Sequence, residues 1–183
     1  AECATGKLSY IGSDVETTSF EQLCHELITC VYQGTRNSSD TTRLAAEAVA
    51  NDCHASFHVI DVDQLVEDYT TTAAQVIDRE LNWDTDDLAL QNIQARVRAP
   101  SVWMIANVKG ALLLATSNRS EAAVGYTTMD GDTCGGIAPI AGIDKALLRK
   151  WLRWMQTTGP EGFGMLPGLE KVNAQQPTAE LRP

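Results

Sequence analysis

Polar side chains that suit nucleotide and phosphate chemistry cluster between positions 91 and 145 of this chain. Thr116 is the last residue of an apolar run over Ala111–Thr116, and Glu121 follows that run. Ligands bind beyond the carboxyl ends of strands in open parallel sheets, and both residues are placed there. A hydroxyl at such a position can contact a nucleotide, and a carboxylate suits a hard cation such as magnesium. The spacing also fits an ordinary helix cap, in which Ser120 and Glu121 stabilise the first turn and its dipole.

A second group of polar residues lies on a predicted helix. Asn92 and Arg96 are four positions apart, which places them on one face, whereas Arg98 is expected to point elsewhere. A planar guanidinium on that face suits a phosphate or a carboxylate. The alternative is a surface helix whose arginines pair with Asp86 or Asp87, and the sequence leaves both interpretations open.

The segment from 125 to 136 contains too many glycines to be core. Within this segment, Tyr126 can stack on a flat ring, and Asp132 can accept a hydrogen bond from an amide or a hydroxyl. A plain flexible loop is the alternative. Lys145, further along, can neutralise phosphate as a point charge. It also begins a predicted helix, where a cation is mildly unfavourable, and this mismatch favours a functional role.

Other chemistry is disfavoured. His54 and His58 are four positions apart, but a strand predicted to begin between them separates their faces, so metal binding there is unfavourable. No Gly-x-Ser-x-Gly nucleophile turn and no Cys/His pairing stands out. The five cysteines are an odd set without a CxxC pair, which indicates free thiols in a reducing cytoplasm.

Length and charge limit the class of protein. The 183 residues fit one domain with a core of its own. The net charge of -10 argues against a general nucleic-acid binder, which needs a basic face. No apolar run approaches the length of a membrane span, so neither nucleic acid nor membrane is an expected partner.

Alternating strand and helix patterns predict an α/β domain with a parallel sheet and flanking helices. Strands are predicted at 29–32, 55–62 and 111–116, the third buried on both faces. Helices are predicted at 20–28, 37–50, 61–81, 88–105, 120–124 and 145–156. Ser19 is the expected cap of the first helix, Pro100 is expected to kink the fourth, and the chain after Gly159 is expected to be loop.

The order of these polar clusters resembles the synthetase domain of NAD synthetase, in its glutamine-dependent form. The resemblance covers roughly 28–156 and is carried by four segments, Gln91–Arg98, Leu114–Glu121, Gly125–Asp132 and Pro139–Lys145. It implies an adenine nucleotide alpha hydrolase-like, ATP-pyrophosphatase-type fold. It also implies a homo-oligomeric carbon–nitrogen ligase that amidates deamido-NAD through an adenylate, with ATP and Mg²⁺ as cofactors and ammonia supplied by a glutaminase domain.

The resemblance implies a role for each matching residue and no covalent nucleophile. Thr116, Glu121 and Lys145 would contact ATP, and Glu121 would hold magnesium. The deamido-NAD contacts would be Asn92, Arg96, Tyr126, Thr128 and Asp132.

The chain departs from this family in one respect that affects activity. The pyrophosphate-binding loop Ser-Gly-Gly-x-Asp-Ser is not found in it. Residues 1–183 are therefore expected to form a partial synthetase domain that lacks its first strand, the phosphate loop and an N-terminal glutaminase domain, and to have little activity alone. Met129 and Asp130 also stand where some members have a lysine and an aromatic residue. The alternatives are a non-catalytic nucleotide-binding or oligomerisation module of the same fold, and another ATP-pyrophosphatase amide-former with a different acid substrate.

Overall fold

A computed structural model describes residues 19–183 as a small parallel sheet with flanking helices. The strands are β1 (Thr29–Gly34) and β2 (Ser56–Asp61), which pair in parallel with Thr29 opposite Ser56. The helices are α1 (Phe20–Leu27), α2 (Asp40–Asp52), α3 (Asp63–Ile77), α4 (Trp83–Arg96), α5 (Arg98–Lys109), α6 (Arg119–Val124), α7 (Lys145–Thr157) and α8 (Leu169–Asn173). The predicted α/β class is confirmed.

Side-chain caps explain where the first two helices begin. Ser19 accepts a hydrogen bond from the amide of Gln22, and the Gln22 side chain accepts one from the amide of Ser19, which is a capping box. Ser39 caps α2 by accepting from the amide of Thr42. The predicted start of α1 is therefore confirmed. α2 begins at Asp40, within the run at 37–40 that offered several possible caps, and β1 lies between the two helices.

The long helix expected over 88–105 is in fact two helices. α4 ends at Arg96 and α5 begins at Arg98, so the break falls at Val97 and not at Pro100. Pro100 lies in the first turn of α5, where its missing N–H costs no hydrogen bond. In an uninterrupted helix its ring would clash with the carbonyl of Arg96, four positions earlier, which explains why the break precedes the proline.

The buried strand expected over 111–116 was wrong. This run forms a single parallel bridge between Leu114 and Ile137, with the amide of Ala115 donating to the carbonyl of Ile137 at 2.8 Å. Leu112 and Leu114 are 64% and 52% exposed. A strand acquires buried faces from neighbouring strands and covering helices, and among residues 19–183 only the loop at 136–137 pairs with this run.

The core beneath the helices includes a segment that the sequence did not indicate. Met155, Leu166 and Leu169 are buried together, with Val49 of α2 and Val172 packed against them. The Gly- and Pro-rich chain after Gly159 was expected to be loop throughout, but it contains α8. Packing between α2 and α7 stabilises this five-residue helix, whose local sequence would not be helical alone.

Two further expectations concern the whole described chain. Within residues 19–183 no helix has the length and apolar character needed to span a membrane. Cys24, Cys30, Cys53 and Cys134 are free thiols, and Cys3 lies outside the described residues.

Candidate functional site

All eight side chains predicted to bind ligands line one cavity of about 630 Å³. They come from α4, from the chain before and within α6, from the loop after α6 and from the start of α7. The set is Asn92, Arg96, Thr116, Glu121, Tyr126, Thr128, Asp132 and Lys145. Residues 177–179 and 181, close to the end of the chain, form another wall. Positions that are far apart in the sequence therefore converge on one space.

A cavity of similar size, about 700 Å³, lies between α3 and α4. Its guanidinium groups already have carboxylate partners, because Arg36 pairs with Asp63 at 2.7 Å and Arg79 pairs with Asp86 at 2.7 Å. These ion pairs satisfy both of its guanidinium groups. The eight-residue cavity contains the polar groups that suit an anionic nucleotide, and we take it as the candidate site.

Glu121 and Lys145 form an ion pair in the wall of this cavity. Lys145 Nζ donates to Glu121 Oε1 at 2.9 Å, and Glu121 Oε2 accepts from the amide of Asn118 at 3.1 Å and from Ser117 Oγ at 3.3 Å. Burial raises the pKa of Glu121, but the hydrogen bonds from Lys145, Asn118 and Ser117 outweigh burial and hold that pKa below its ordinary value. Glu121 is therefore a carboxylate at neutral pH.

Glu121 is also part of the cap of α6. Asn118 Oδ1 accepts from the amides of Ser120 and Glu121, while the Glu121 side chain accepts from the amide of Asn118. The cap interpretation of this segment is thus correct for Glu121, with Asn118 as the cap residue. Capping fixes the carboxylate at the edge of the cavity, so the structural role and a ligand-binding role are compatible.

The loop after α6 is hydrogen-bonded to α4. Thr128 Oγ1 donates to Asn92 Oδ1 at 2.9 Å, and Arg96 Nε donates to the carbonyl of Met129 at 3.1 Å. Tyr126 Oη donates to the Gln91 side chain at 2.7 Å. The face that carries Asn92 and Arg96 is therefore the face that holds the loop, which does not fit the plain flexible-loop interpretation.

Close backbone contacts hold the same loop in place. A Cβ at Gly131 would lie 2.8 Å from the carbonyl carbon of Ala95, so only glycine allows this approach to α4. The amide of Thr128 donates to Asp132 Oδ2 at 2.7 Å and closes the turn. Thr128 and Asp132 are thereby fixed relative to each other and to α4.

The expectation that Arg98 points away from Asn92 and Arg96 was wrong, because Arg98 lines the same cavity. The break at Val97 changes the helical phase, so the four-residue spacing rule does not extend past it. The proposed pairing of these arginines with two nearby aspartates is also not found. Asp86 pairs with Arg79, and Asp87 pairs with Arg182.

No pattern in the sequence indicates Glu180, which attaches the C-terminal wall of the cavity to α2. Its carboxylate accepts from the amide and hydroxyl of Ser39, at 3.0 Å and 2.6 Å, and from Thr42 Oγ1 at 2.8 Å. Its backbone has a φ of 47°, a left-handed conformation that is costly for a residue with a side chain. Burial raises the pKa of Glu180, but the hydrogen bonds from Ser39 and Thr42 hold it below its ordinary value.

The side chains present at this site fit magnesium better than a transition metal. Among the described residues no three His, Cys, Asp or Glu side chains come together as a metal cluster. Magnesium is usually held by one or two carboxylates together with substrate phosphates and water. Glu121 supplies such a carboxylate, and its Oε1 has a second lone pair beside the one that faces Lys145.

Comparison with known proteins gives a consistent result along the described chain. The family model described as NAD synthase matches residues 15–183. The chain is 36% identical over 171 residues to the glutamine-dependent NAD(+) synthetase of Aquifex aeolicus and 33% identical over 177 residues to that of Oryza sativa subsp. indica. These alignments cover 93% and 88% of this chain, but only 28% and 23% of the two relatives. The chain thus spans about a quarter of their length.

Solved structures show the same similarity. A glutamine-dependent NAD(+) synthetase from Cytophaga hutchinsonii has a TM-score of 0.77 and 49% identity, over 88% of this chain and 27% of that one. The glutamine-dependent NAD+ synthetase of Acinetobacter baumannii in complex with ADP has a TM-score of 0.69 over 90% of this chain and 29% of that one. At 22% identity, the second comparison shows the fold alone.

Proposed function

We propose that this chain, which belongs to the NAD synthase family, supplies nucleotide and dinucleotide contacts for the ATP-dependent amidation of deamido-NAD. The observation that carries this proposal is the convergence of eight polar side chains from distant segments on one cavity. The reaction class is carbon–nitrogen ligation. The products are NAD, AMP and pyrophosphate.

The reaction joins two polyanions, so positioning and charge neutralisation dominate its chemistry. A carboxylate oxygen of deamido-NAD attacks the α-phosphorus of ATP, and pyrophosphate leaves. The nitrogen of ammonia then attacks the acyl carbon of the adenylate, AMP leaves with the bonding electron pair, and the nitrogen loses a proton. Neither step requires a covalent protein nucleophile, and none is assigned here.

The ATP contacts are assigned to Thr116, Glu121 and Lys145. Lys145 supplies positive charge for the phosphate chain, and its pair with Glu121 holds it beside the cavity. Thr116 supplies a hydroxyl from the chain just before α6. Magnesium bound to Glu121 would reduce the repulsion between the two polyanions. The complex of a relative with ADP supports the choice of an adenine nucleotide.

The deamido-NAD contacts are assigned to the part of the cavity between α4 and the loop after α6. Asn92 and Thr128, which are hydrogen-bonded to each other, provide polar atoms that can turn to the dinucleotide. Arg96 provides a guanidinium for an anionic group. Tyr126 offers a ring for stacking, and Asp132 offers a carboxylate that can accept from a ribose hydroxyl.

The proposal extends to the larger protein that the family implies. The relatives named above are glutamine-dependent, so we assign the ammonia to a glutaminase domain outside the matched region. We also propose a homo-oligomer. The free thiols at Cys24, Cys30, Cys53 and Cys134 support a cytoplasmic setting.

The test is formation of NAD from deamido-NAD, ATP, magnesium and ammonia by the polypeptide that carries this chain. We expect turnover that falls when Thr116 is replaced by valine and persists when Thr72, on the exposed surface of α3, is replaced in the same way. For residues 1–183 alone we expect thermal stabilisation by both ligands with little turnover. Absence of stabilisation by either ligand, together with absence of turnover in the longer polypeptide, would contradict the proposal.

A further inference from the structure

Arg98 brings to the cavity a positive charge that no carboxylate of the described residues pairs with. It lines the cavity, it is half-buried, and it takes part in no ion pair with the described residues. Its Nε is buried without any hydrogen-bond partner in the described part of the chain. Buried polar atoms are almost always paired, so an unpaired guanidinium nitrogen requires an explanation.

The fold fixes the backbone position of Arg98. It is the first residue of α5 and directly follows the cap of α4, so the dipoles of the two helices act on its charge in opposite senses. Its carbonyl accepts from Gln33 Nε2 at 2.9 Å, and Ser101 Oγ donates to Gln33 Oε1 at 2.6 Å. These contacts attach the start of α5 to β1, so the fold fixes the backbone from which the Arg98 side chain extends.

The nearest carboxylates do not neutralise this guanidinium. Asp132 accepts from the amide of Thr128, and Glu180 accepts from Ser39 and Thr42. Burial lowers the pKa of Arg98, and the negative charges of Asp132 and Glu180 oppose this effect from beyond ion-pair distance. The guanidinium still remains protonated at neutral pH, because its ordinary pKa is far above that range. An anion that enters the cavity would therefore meet a positive charge that forms no ion pair with the described residues.

We propose that Arg98 binds a phosphate oxygen of a ligand in this cavity, as an anion-binding residue in addition to Arg96 and Lys145. The inference rests on the proposed function for the identity of the ligand. The phosphate belongs either to the polyphosphate of ATP or to the diphosphate of deamido-NAD. Arg98 suits both, because its N–H groups can donate to two oxygens of one phosphate.

The test compares Arg98→Met and Arg98→Lys with the matched control Arg153→Met, which removes an exposed arginine of α7. Each variant of the polypeptide that carries this chain is titrated by calorimetry with inorganic pyrophosphate, with ATP and with deamido-NAD. We expect Arg98→Met to weaken pyrophosphate binding about 10- to 100-fold, the usual value of hydrogen bonds to a charged group. Arg98→Lys is expected to retain only part of the wild-type affinity for pyrophosphate. Arg153→Met is expected to bind pyrophosphate as tightly as the wild type.

Thermal denaturation without ligand separates ligand binding from a structural role. Because methionine removes a desolvated charge from a helix start, we expect the melting temperature of Arg98→Met to equal or exceed that of the wild type. A structural role would lower the melting temperature of Arg98→Met well below that of the wild type and leave the pyrophosphate affinity of Arg98→Lys equal to that of the wild type. That pair of results would overturn the inference.

The three ligands identify the source of the phosphate and separate this inference from the proposed function. Loss confined to ATP assigns Arg98 to the polyphosphate, and loss confined to deamido-NAD assigns it to the diphosphate. Pyrophosphate binding that depends on Arg98, in a protein that forms no NAD, would support this inference and contradict the proposed function. NAD formation with phosphate affinities unchanged in Arg98→Met would overturn this inference and leave the proposed function in place.

Discussion

Lys145 Nζ lies 2.9 Å from Glu121 Oε1, although the two residues belong to different helices, and both side chains are only partly exposed, at 40% and 30%. A lysine at the first position of α7 is unfavourable for the helix dipole. The pair offsets that cost and directs the ammonium group toward the cavity. The cation and the carboxylate assigned to ATP and its metal therefore hold each other in place.

Replacing Lys145 with methionine should weaken ATP binding much more than deamido-NAD binding. The substitution removes a point charge assigned to the phosphate chain, and a charged hydrogen bond contributes on the order of 1.5–3 kcal/mol, or about 10- to 100-fold in affinity. Steady-state kinetics would give the KM for each substrate, with Lys150→Met on α7 as the control. A KM for ATP equal to that of the wild type would remove Lys145 from the ATP site.

The Thr128–Asn92 hydrogen bond predicts a selective effect on the other substrate. Thr128→Val removes the hydroxyl that donates to Asn92 Oδ1 at 2.9 Å and leaves the side-chain volume almost unchanged. We expect the KM for deamido-NAD to rise several-fold, because one neutral hydrogen bond contributes about 1 kcal/mol. The KM for ATP should stay within about twofold of the wild type. Thr72→Val on α3 is the matched control. A rise confined to the KM for ATP would place the dinucleotide elsewhere.

Gly131 provides a steric test of loop placement. Gly131→Ala would bring a methyl group within 2.8 Å of the Ala95 carbonyl carbon, whereas a methyl group at Gly142 meets no atom within 4 Å. We expect Gly131→Ala to lower the free energy of unfolding by about 1–3 kcal/mol and to raise the KM for deamido-NAD. Gly142→Ala should change stability by less than about 0.5 kcal/mol. Urea denaturation would measure both, and equal stabilities would show that the loop does not pack on α4 as described.

The hydrogen bonds of Glu180 predict a pH dependence of stability. Its folded-state pKa lies below the ordinary value, so its contribution is present above the unfolded pKa and disappears as pH falls through the folded pKa. Melting temperatures measured from about pH 6 down to about pH 3 should therefore fall more in the wild type than in Glu180→Gln, which has no carboxylate to protonate. Parallel curves for the two proteins would show that the Ser39 and Thr42 contacts do not depend on ionisation.

Local signals in the sequence were sufficient for much of the fold. Ser19 identifies the start of α1 because a cap is a short-range interaction, and the polar run at 37–40 contains Ser39, the cap of α2. Asn92 and Arg96 share a face because both lie within one uninterrupted helix. The convergence of eight residues on a cavity followed from a family resemblance, since no periodicity links positions as distant as 92 and 145.

One of the failures has a local cause, and the others have tertiary causes. Arg98 was misplaced because the break at Val97 depends on the clash that Pro100 would cause in a continuous helix. The run at 111–116 has the composition of a buried strand, but its burial depends on neighbours that composition does not show. Glu180 and α8 lie in a Pro- and Gly-rich segment with no repeating pattern, and long-range contacts determine both.

The measurement that tests the central claim most directly is calorimetric titration of ATP with magnesium into wild type and Glu121→Gln, with deamido-NAD titrated in parallel. Glutamine can still accept the hydrogen bond from the Asn118 amide, so the cap of α6 is kept while the charge is removed. We predict that ATP binds at least about tenfold more weakly to Glu121→Gln, with deamido-NAD affinity within about twofold of wild type. Equal ATP affinities in the two proteins would contradict the assignment of this cavity to ATP.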